Sequence, residues 1–519
     1  MAFQDKPEPN IKPVSRRLAT VANLIHQYVT VGLAIVQGIV LVPLYLRYID
    51  STLYGAWLAT GSIVMWLLLA DAGLTNIVRQ KTAQVYGAKE FDQMGKVIGT
   101  GLVCIAAVGF IPFFLSFGVA PFLPKLFGLS GQAGGSLSDS FILAGFSCSL
   151  TIIAGGAGAV QQGLQRNVTY SIIYITGAVT GIVVTVVMLL NGYGLVSIPA
   201  GLAARGIVWS ILYWADIFYY CLYRLRIRFS LARENLRDMA GLTSWTFFNR
   251  LSYQLFAQCD ALVIGIFLGP NVTIIYVLTR RSWDVLKMIL ERISVAFMPG
   301  LAHLYGEGDA TKFRNISQRL MRVIVYCLVI GAGSCVALNK TFVNLWVGAE
   351  FYAGAAFDFL MAGALATIIF VAVVHHVLYA GGNIKSLSAI GVLLSSVRAA
   401  ILVGLVWLIE YLGSPVSLLV GFGIASALYY GPEWVKKHRL SAVEFRCELF
   451  SFGRAFLAAM GLAFLFRRYV VGESWVWFIV CGMAYILVTG GASLVMDEKI
   501  RAEAGRFFAK ARGLYLRTG

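Results

Sequence analysis

Apolar runs of about twenty residues follow one another along the chain, separated by short polar stretches. Each is long enough to cross a hydrocarbon core of about 30 Å as a helix. Backbone amides and carbonyls find no water in that core, so helix is the spanning solution at this segment length. The pattern predicts spans near residues 22–46, 51–72, 97–119, 140–163, 168–190, 196–222 and 241–268, then 271–298, 320–345, 353–380, 385–409, 414–434, 450–470 and 473–496. The expected fold class is all-α: a polytopic membrane protein of about 14 transmembrane helices.

Composition agrees with that reading. Hydrophobic residues make up 59% of the 519 and charged residues only 13%, with a mean hydropathy of +0.77. Soluble domains run at about 25% charged. Met1 to Arg17 is polar and proline-rich (Pro7, Pro9, Pro13), which does not match a secretory signal. The eight cysteines fall in apolar segments or near the expected cytoplasmic ends, with no zinc-site spacing, so neither disulfides nor a metal site are expected. No G-x-x-x-x-G-K-[ST] loop appears, so ATP hydrolysis is not expected, and no cofactor is implied. The longest stretch on the expected outer side, 120–139, is glycine- and serine-rich and nearly uncharged. It offers no room for a catalytic domain, and the chain reads as a transporter rather than an enzyme.

Charge gives the orientation. With the N-terminus in the cytoplasm, 29 of the 42 Lys and Arg fall on the cytoplasmic side, five on the opposite side and eight inside spans. This is a positive-inside distribution, and it needs an even number of spans with both termini cytoplasmic, as in a bacterial inner membrane. The net +17 is therefore topology plus attraction to anionic lipid, not a nucleic-acid footprint.

A repeat is also visible. Ala83-Gln84-Val85-Tyr86-Gly87 returns as Ala302-His303-Leu304-Tyr305-Gly306, about 219 residues later, each after the second span of a pair. Two parallel six-span halves follow, with two spans added: an N-terminal lobe over 1–222, a C-terminal lobe over 223–435, and spans 13 and 14 with a basic cytoplasmic tail over 436–519.

The candidate chemistry lies in the charges inside the spans. Span 8 carries Arg280, Arg281, Asp284, Lys287, Glu291 and Arg292. At 100° per residue, Arg280, Asp284, Lys287 and Glu291 share about 60° of arc. An Arg or Lys facing lipid at a helix centre costs about 2.5–3.5 kcal/mol even on lenient scales, so most must face water or one another. One reading is an internal salt-bridge ladder, Arg280–Asp284–Lys287–Glu291 at i,i+3 and i,i+4 spacing, which does not account for Arg281 and Arg292. The other is the wall of a cavity. Span 7 adds Arg250, Tyr253, Gln254, Gln258 and Asp260, and span 1 a stripe of Asn23, Gln27, Thr30 and Gln37 beside His26. Arg398 lies near the middle of span 11, Arg205 in span 6, and Arg454 is placed to snorkel. His375 and His376 read as packing residues. Across the spans, eight cations face five anions, Asp71, Asp216, Asp260, Asp284 and Glu291. That excess suits an anionic ligand such as a phosphate or pyrophosphate. The candidate substrate-binding set is Arg250, Gln254, Asp260, Arg280, Arg281, Asp284, Lys287 and Arg398.

Several motifs carry a family resemblance. Val42-Pro43-Leu44-Tyr45-Leu46, Tyr54-Gly55-Ala56-Trp57 and Asp71-Ala72-Gly73-Leu74 resemble the first two helices of polysaccharide-transport flippases. So do Asp260-Ala261-Leu262-Val263-Ile264-Gly265, Leu268-Gly269, Tyr276 and Pro299-Gly300-Leu301 before Tyr305-Gly306. These are the Wzx-like members of the multidrug/oligosaccharidyl-lipid/polysaccharide exporter superfamily. The resemblance implies an undecaprenyl-diphosphate-linked oligosaccharide, moved from the cytoplasmic to the periplasmic leaflet by alternating access of two lobes around a cationic cavity. The implied pathways are O-antigen (lipopolysaccharide), capsule or exopolysaccharide synthesis, with the polymerase and chain-length regulator as further partners. A lipid-linked peptidoglycan-precursor flippase, a drug exporter of the same superfamily, and a membrane polymerase or ligase of the pathway are the alternatives. The cation excess disfavours a drug exporter, and the short outer loops disfavour a polymerase or ligase.

Overall fold

Helix is what the apolar runs form. In the computed structural model, which describes residues 29–382, 384–469 and 474–496, the described part of each of the fourteen expected spans falls on helical segments, and no strand occurs among the described residues. Ten helical runs are long and apolar enough to cross a membrane, and Trp475–Gly491 is a shorter apolar helix. One of the ten, Ala389–His438, contains two expected spans. The expected spans left over are 7 and 8, which carry Arg250, Asp260 and the ionic residues from Arg280 to Arg292. The protein is a multi-pass membrane protein, and its most highly charged span, span 8, is one of the two left over.

The chain forms two compact units, residues 1–274 and 275–519. In the first, α1 (Val29–Tyr48) is followed by α2 (Ser51–Leu67) and α3 (Leu74–Gly87), then α4 (Phe91–Leu126), α5 (Gly131–Gly163), α6 (Asn167–Leu190) and α7 (Gly194–Arg224). Two further helices, α8 (Arg233–Gln258) and α9 (Asp260–Leu268), complete it. Apolar side chains of α3, α4, α5 and α7, among them Val78, Ile98, Ile105, Val160 and Tyr213, form its core. Without a hydrophobic drive between helices in lipid, such contacts hold by close packing.

A long helix, α10 (Pro270–Gly306), starts in the first unit and runs into the second. There follow α11 (Ala310–Trp346), α12 (Ala355–Ala380), α13 (Ile384–Ile409), α14 (Gly413–Ala425), α15 (Gly431–His438), α16 (Ala442–Tyr469) and α17 (Trp475–Met496). The helix α11 is the hub of the second unit, packing on α12, α16 and α17. Its buried face carries Ile324, Leu328, Ala332 and Val336.

The repeat has a structural counterpart. Ser51–Gly87 and Pro270–Gly306 are each 37 residues long and end on the repeated Tyr-Gly. Two residues beyond each end, Lys89 (φ 57°) and Gly308 (φ 75°) turn left-handed before the next helix starts. The first run is broken where the second is continuous. A 3-10 turn at Leu68–Asp71 gives way to Ala72 (φ 47°) and Gly73 (φ 85°), and α3 starts afresh at Leu74. Left-handed backbone is costly for most residues, and glycine at the second position relieves half of it.

Candidate functional site

In the first unit, the broken helix positions the one acidic residue of its span. Asp71 is buried, and its Oδ1 accepts the Thr75 amide at 3.0 Å and the Thr75 hydroxyl, capping the new helix start. Its other oxygen, Oδ2, accepts Nη1 of Arg250 at 2.6 Å. The Arg250 side chain is 36% exposed against 10% for Asp71, so the guanidinium is the accessible partner. Asp260 is buried at the first residue of α9, just past the break at Cys259. The side chains of Tyr253, Gln254 and Gln258, and the whole of Asn23, His26 and Gln27, lie outside the described residues. Thr30 and Gln37 sit half-buried on α1.

The acid of span 6 is also engaged. Asp216 accepts Arg166 Nη2 at 2.6 Å and Gln161 Nε2 at 2.7 Å, while the Arg166 guanidinium lies 4.1 Å from the Tyr220 ring. Arg205 lies over Trp209 at 4.8 Å, the cation–π arrangement that desolvated arginines favour.

In the second unit, two ion pairs form along the ionic face of α10. Arg280 Nε donates to Asp284 Oδ1 at 3.0 Å, and Lys287 Nζ lies 3.7 Å from Glu291 Oε1. Arg280 Nη1 also donates to the Tyr276 hydroxyl, which is 2.8 Å from Ser414 Oγ. Both pairs are i,i+4, the spacing that brings side chains together on one helix face. Arg281 and Lys287 are half-buried, and Arg292 is exposed. Arg398 is different. It is fully buried, and a Cβ at Gly421 of α14 would lie 2.6 Å from its Cγ, so only glycine leaves room for it there. The structure thus brings Arg250 to Asp71 and Arg280 to Asp284, sets Lys287 on the same face as Asp284, and buries Arg398 against α14.

His376 Nδ1 lies 2.9 Å from Ser294 Oγ and His375 Nδ1 3.4 Å from the Tyr430 hydroxyl, so both rings join helices. Among the described residues, no group of three or more His, Cys, Asp or Glu is placed to hold a metal ion.

Two features escaped the sequence. Asp358, fully buried on α12, is ringed by hydrogen-bond donors from α10, α11 and α16. It and its cation, Arg467, sit near the ends of expected spans, where soft boundaries hide them. The second is an open cavity of about 970 Å³ within the second unit. Apolar residues such as Met321, Val325, Phe370 and Phe452 line it, with Arg322 and Glu448 among its polar members. Helices α11, α12, α14, α15 and α16 build it, so no local pattern announces it.

Known proteins carry the same likeness. The family model described as "Polysaccharide biosynthesis protein" matches residues 139–355. A curated relative, the uncharacterized membrane protein EpsK of Bacillus subtilis (strain 168), is 18% identical over 383 residues, covering 72% of this chain and 74% of EpsK. Among solved structures, the lipid II flippase MurJ in an inward closed conformation aligns with a TM-score of 0.64 at 11% identity, covering 92% of this chain and 99% of MurJ. An inward-facing multidrug resistance MATE family transporter of the MOP superfamily aligns at 0.56 and 14% identity, covering 84% and 98%. The resemblance read from the motifs is therefore borne out: the chain is similar to polysaccharide-biosynthesis proteins and shares its all-helical fold with MurJ and the MATE family transporter.

Proposed function

We propose that this chain, with its MOP-transporter fold and its polysaccharide-biosynthesis match, is a flippase that moves undecaprenyl-diphosphate-linked oligosaccharide from the cytoplasmic to the periplasmic leaflet by alternating access. The observation that carries the reading is the ionic face of α10. Its cations exceed its two acids, and neither Arg281 nor Lys287 is sealed away as Arg398 is. A diphosphate is the ligand such a face suits, since Arg presents a planar fork to phosphate oxygens and Lys a compact charge. Arg280, Arg281 and Lys287 bind phosphate in the second unit, with Arg398 adding a buried positive charge against α14. Arg250 offers a separate cation in the first unit, with Gln254 and Asp260 as further polar contacts. Asp284 and Glu291 hold the cations in check, because a carrier that binds equally tightly in both leaflets gains nothing from the change of state. The open apolar cavity of the second unit is consistent with a substrate that includes hydrocarbon.

The lobes of this reading are residues 1–222 and 223–435, with 436–519 as the addition. Both termini are cytoplasmic in the inner membrane, and the partners are the polymerase and chain-length regulator of the pathway. Ser130→Cys should then react with an impermeant thiol reagent on intact cells, and Thr518→Cys only after lysis. The reverse pattern would invert the topology.

The fold similarity to MurJ favours a second reading, a lipid-linked peptidoglycan precursor as substrate. Deleting the gene and extracting lipids from the cytoplasmic leaflet decides between them. Accumulated undecaprenyl-diphosphate glycan without peptide supports the first, a peptide-bearing glycolipid the second, and no accumulated lipid-linked glycan contradicts both.

A further inference from the structure

The ionic face of α10 is flanked by a face that is bound to the rest of its unit. Thr279, Ser282 and Trp283 occupy about 100° of helix arc, centred roughly 120° from Arg280, Asp284, Lys287 and Glu291. Thr279 Oγ1 donates to the Phe351 carbonyl at 2.9 Å and accepts the Ala353 amide at 2.8 Å. Ser282 Oγ donates to Asn339 Oδ1 at 2.7 Å, and Asn339 Nδ2 donates to the Thr279 carbonyl at 3.0 Å. The network converges on Asp358. Its Oδ1 accepts Trp283 Nε1 at 3.1 Å and Asn339 Nδ2 at 2.7 Å. Its Oδ2 accepts Arg467 Nη1 at 3.1 Å and the Tyr352 hydroxyl, which also accepts from Arg467 Nη2.

A carboxylate sealed from solvent is costly unless it is paired and bonded, and this one is both. Apolar packing alone fixes a membrane helix's rotation weakly, because Leu and Ile fit many settings and lipid is as apolar as they are. Directional bonds do not have that latitude. A slip of one residue, about 100°, would carry Trp283 away from Asp358 and turn Arg281 and Lys287 towards new surroundings.

We propose that Asp358 is the positioning residue of the ionic face: it fixes the rotation of α10, with Arg467 of α16 as its counter-ion. This rests on the reading of α10 as the phosphate-binding helix, and it gives the added C-terminal helix a role in transport. The carboxylate touches no substrate; it acts through Trp283 and Asn339.

The experiment reads rotation directly. In a full-length chain with its native cysteines replaced by serine, Met288→Cys beside the ionic face is compared with Leu286→Cys on the packed side, using an impermeant thiol reagent. Asp358→Asn keeps the shape and removes the charge. It should lower the Met288-to-Leu286 labelling ratio by about tenfold, the change that 1.4 kcal/mol makes in an equilibrium. Removing both charges with Asp358→Asn and Arg467→Gln should recover most of the ratio; no recovery overturns the counter-ion role. If Asp358→Asn fails to insert, Trp283→Phe, which loses only the N–H donor, serves instead and should shift the ratio the same way. An unchanged ratio in an inserted variant overturns the proposal, whatever happens to transport. A collapsed ratio with glycan export intact leaves the positioning role standing and removes the phosphate role of α10.

Discussion

The helical runs 51–87 and 270–306 have the same length and the same ending, yet they carry charge in opposite ways. The first has one acid in its apolar stretch, Asp71, set at a break and bonded to an arginine 179 residues away. The second is unbroken and carries six ionic residues, among them the pairs Arg280–Asp284 and Lys287–Glu291 made four residues apart on the same helix. A pair made across helices holds only while those helices stay packed. A pair made along one helix travels with it. On the flippase reading, Asp71–Arg250 is the contact that movement would strain, and the α10 ladder is the cargo site that moves intact.

The largest expected effect is on the long-range pair. Arg250→Ala leaves the Asp71 carboxylate buried without its cation. Removing one partner of a fully buried pair costs about 3–5 kcal/mol, and the partial exposure of Arg250 lowers that to about 2–3. Thermal unfolding in detergent measures it, and a loss below about 0.5 kcal/mol would place the pair among ordinary surface contacts. Next comes the break itself. Gly73→Ala forces a Cβ into left-handed backbone and should cost about 1–2 kcal/mol in the same assay. No loss would mean that the turn adjusts freely. The ladder should be far less sensitive: Asp284→Ala removes an i,i+4 pair worth about 0.2–0.5 kcal/mol while Arg280 keeps its bond to Tyr276. A loss of several kcal/mol would show that the ladder, too, is held by tertiary contacts. Smallest is Arg228→Ala, on an exposed side chain between α7 and α8, which should stay within about ±0.5 kcal/mol and leave export unchanged.

The same contrast explains what was legible in the sequence. Spans and ladder are local: runs of twenty apolar residues, and charges at i,i+4, fix helices and their ionic face without any knowledge of packing. The motif Asp71-Ala72-Gly73-Leu74 was visible as a resemblance, but its left-handed break and its bond to Arg250 depend on a helix far along the chain. Asp358 and Arg467 were hidden for a related reason. Each sits near the end of an expected span, where a boundary soft by a few residues turns a buried carboxylate into a loop residue and its cation into a snorkelling one. Arg398 was placed in a span from sequence, while the small residue that makes room for it, Gly421, lies on another helix.

On the flippase reading, cations inside the spans bind a diphosphate. Its most direct test is the affinity of purified protein in lipid nanodiscs for undecaprenyl diphosphate, set against the uncharged alcohol. The account predicts preference for the diphosphate and at least about tenfold weaker binding, roughly 1.4 kcal/mol, in Arg281→Ala and Lys287→Ala. Arg228→Ala should bind like the native protein, and Arg281→Lys should bind better than Arg281→Ala if charge rather than the guanidinium fork is what counts. Equal binding of diphosphate by the native protein and by both α10 variants, all normally folded, would contradict the account.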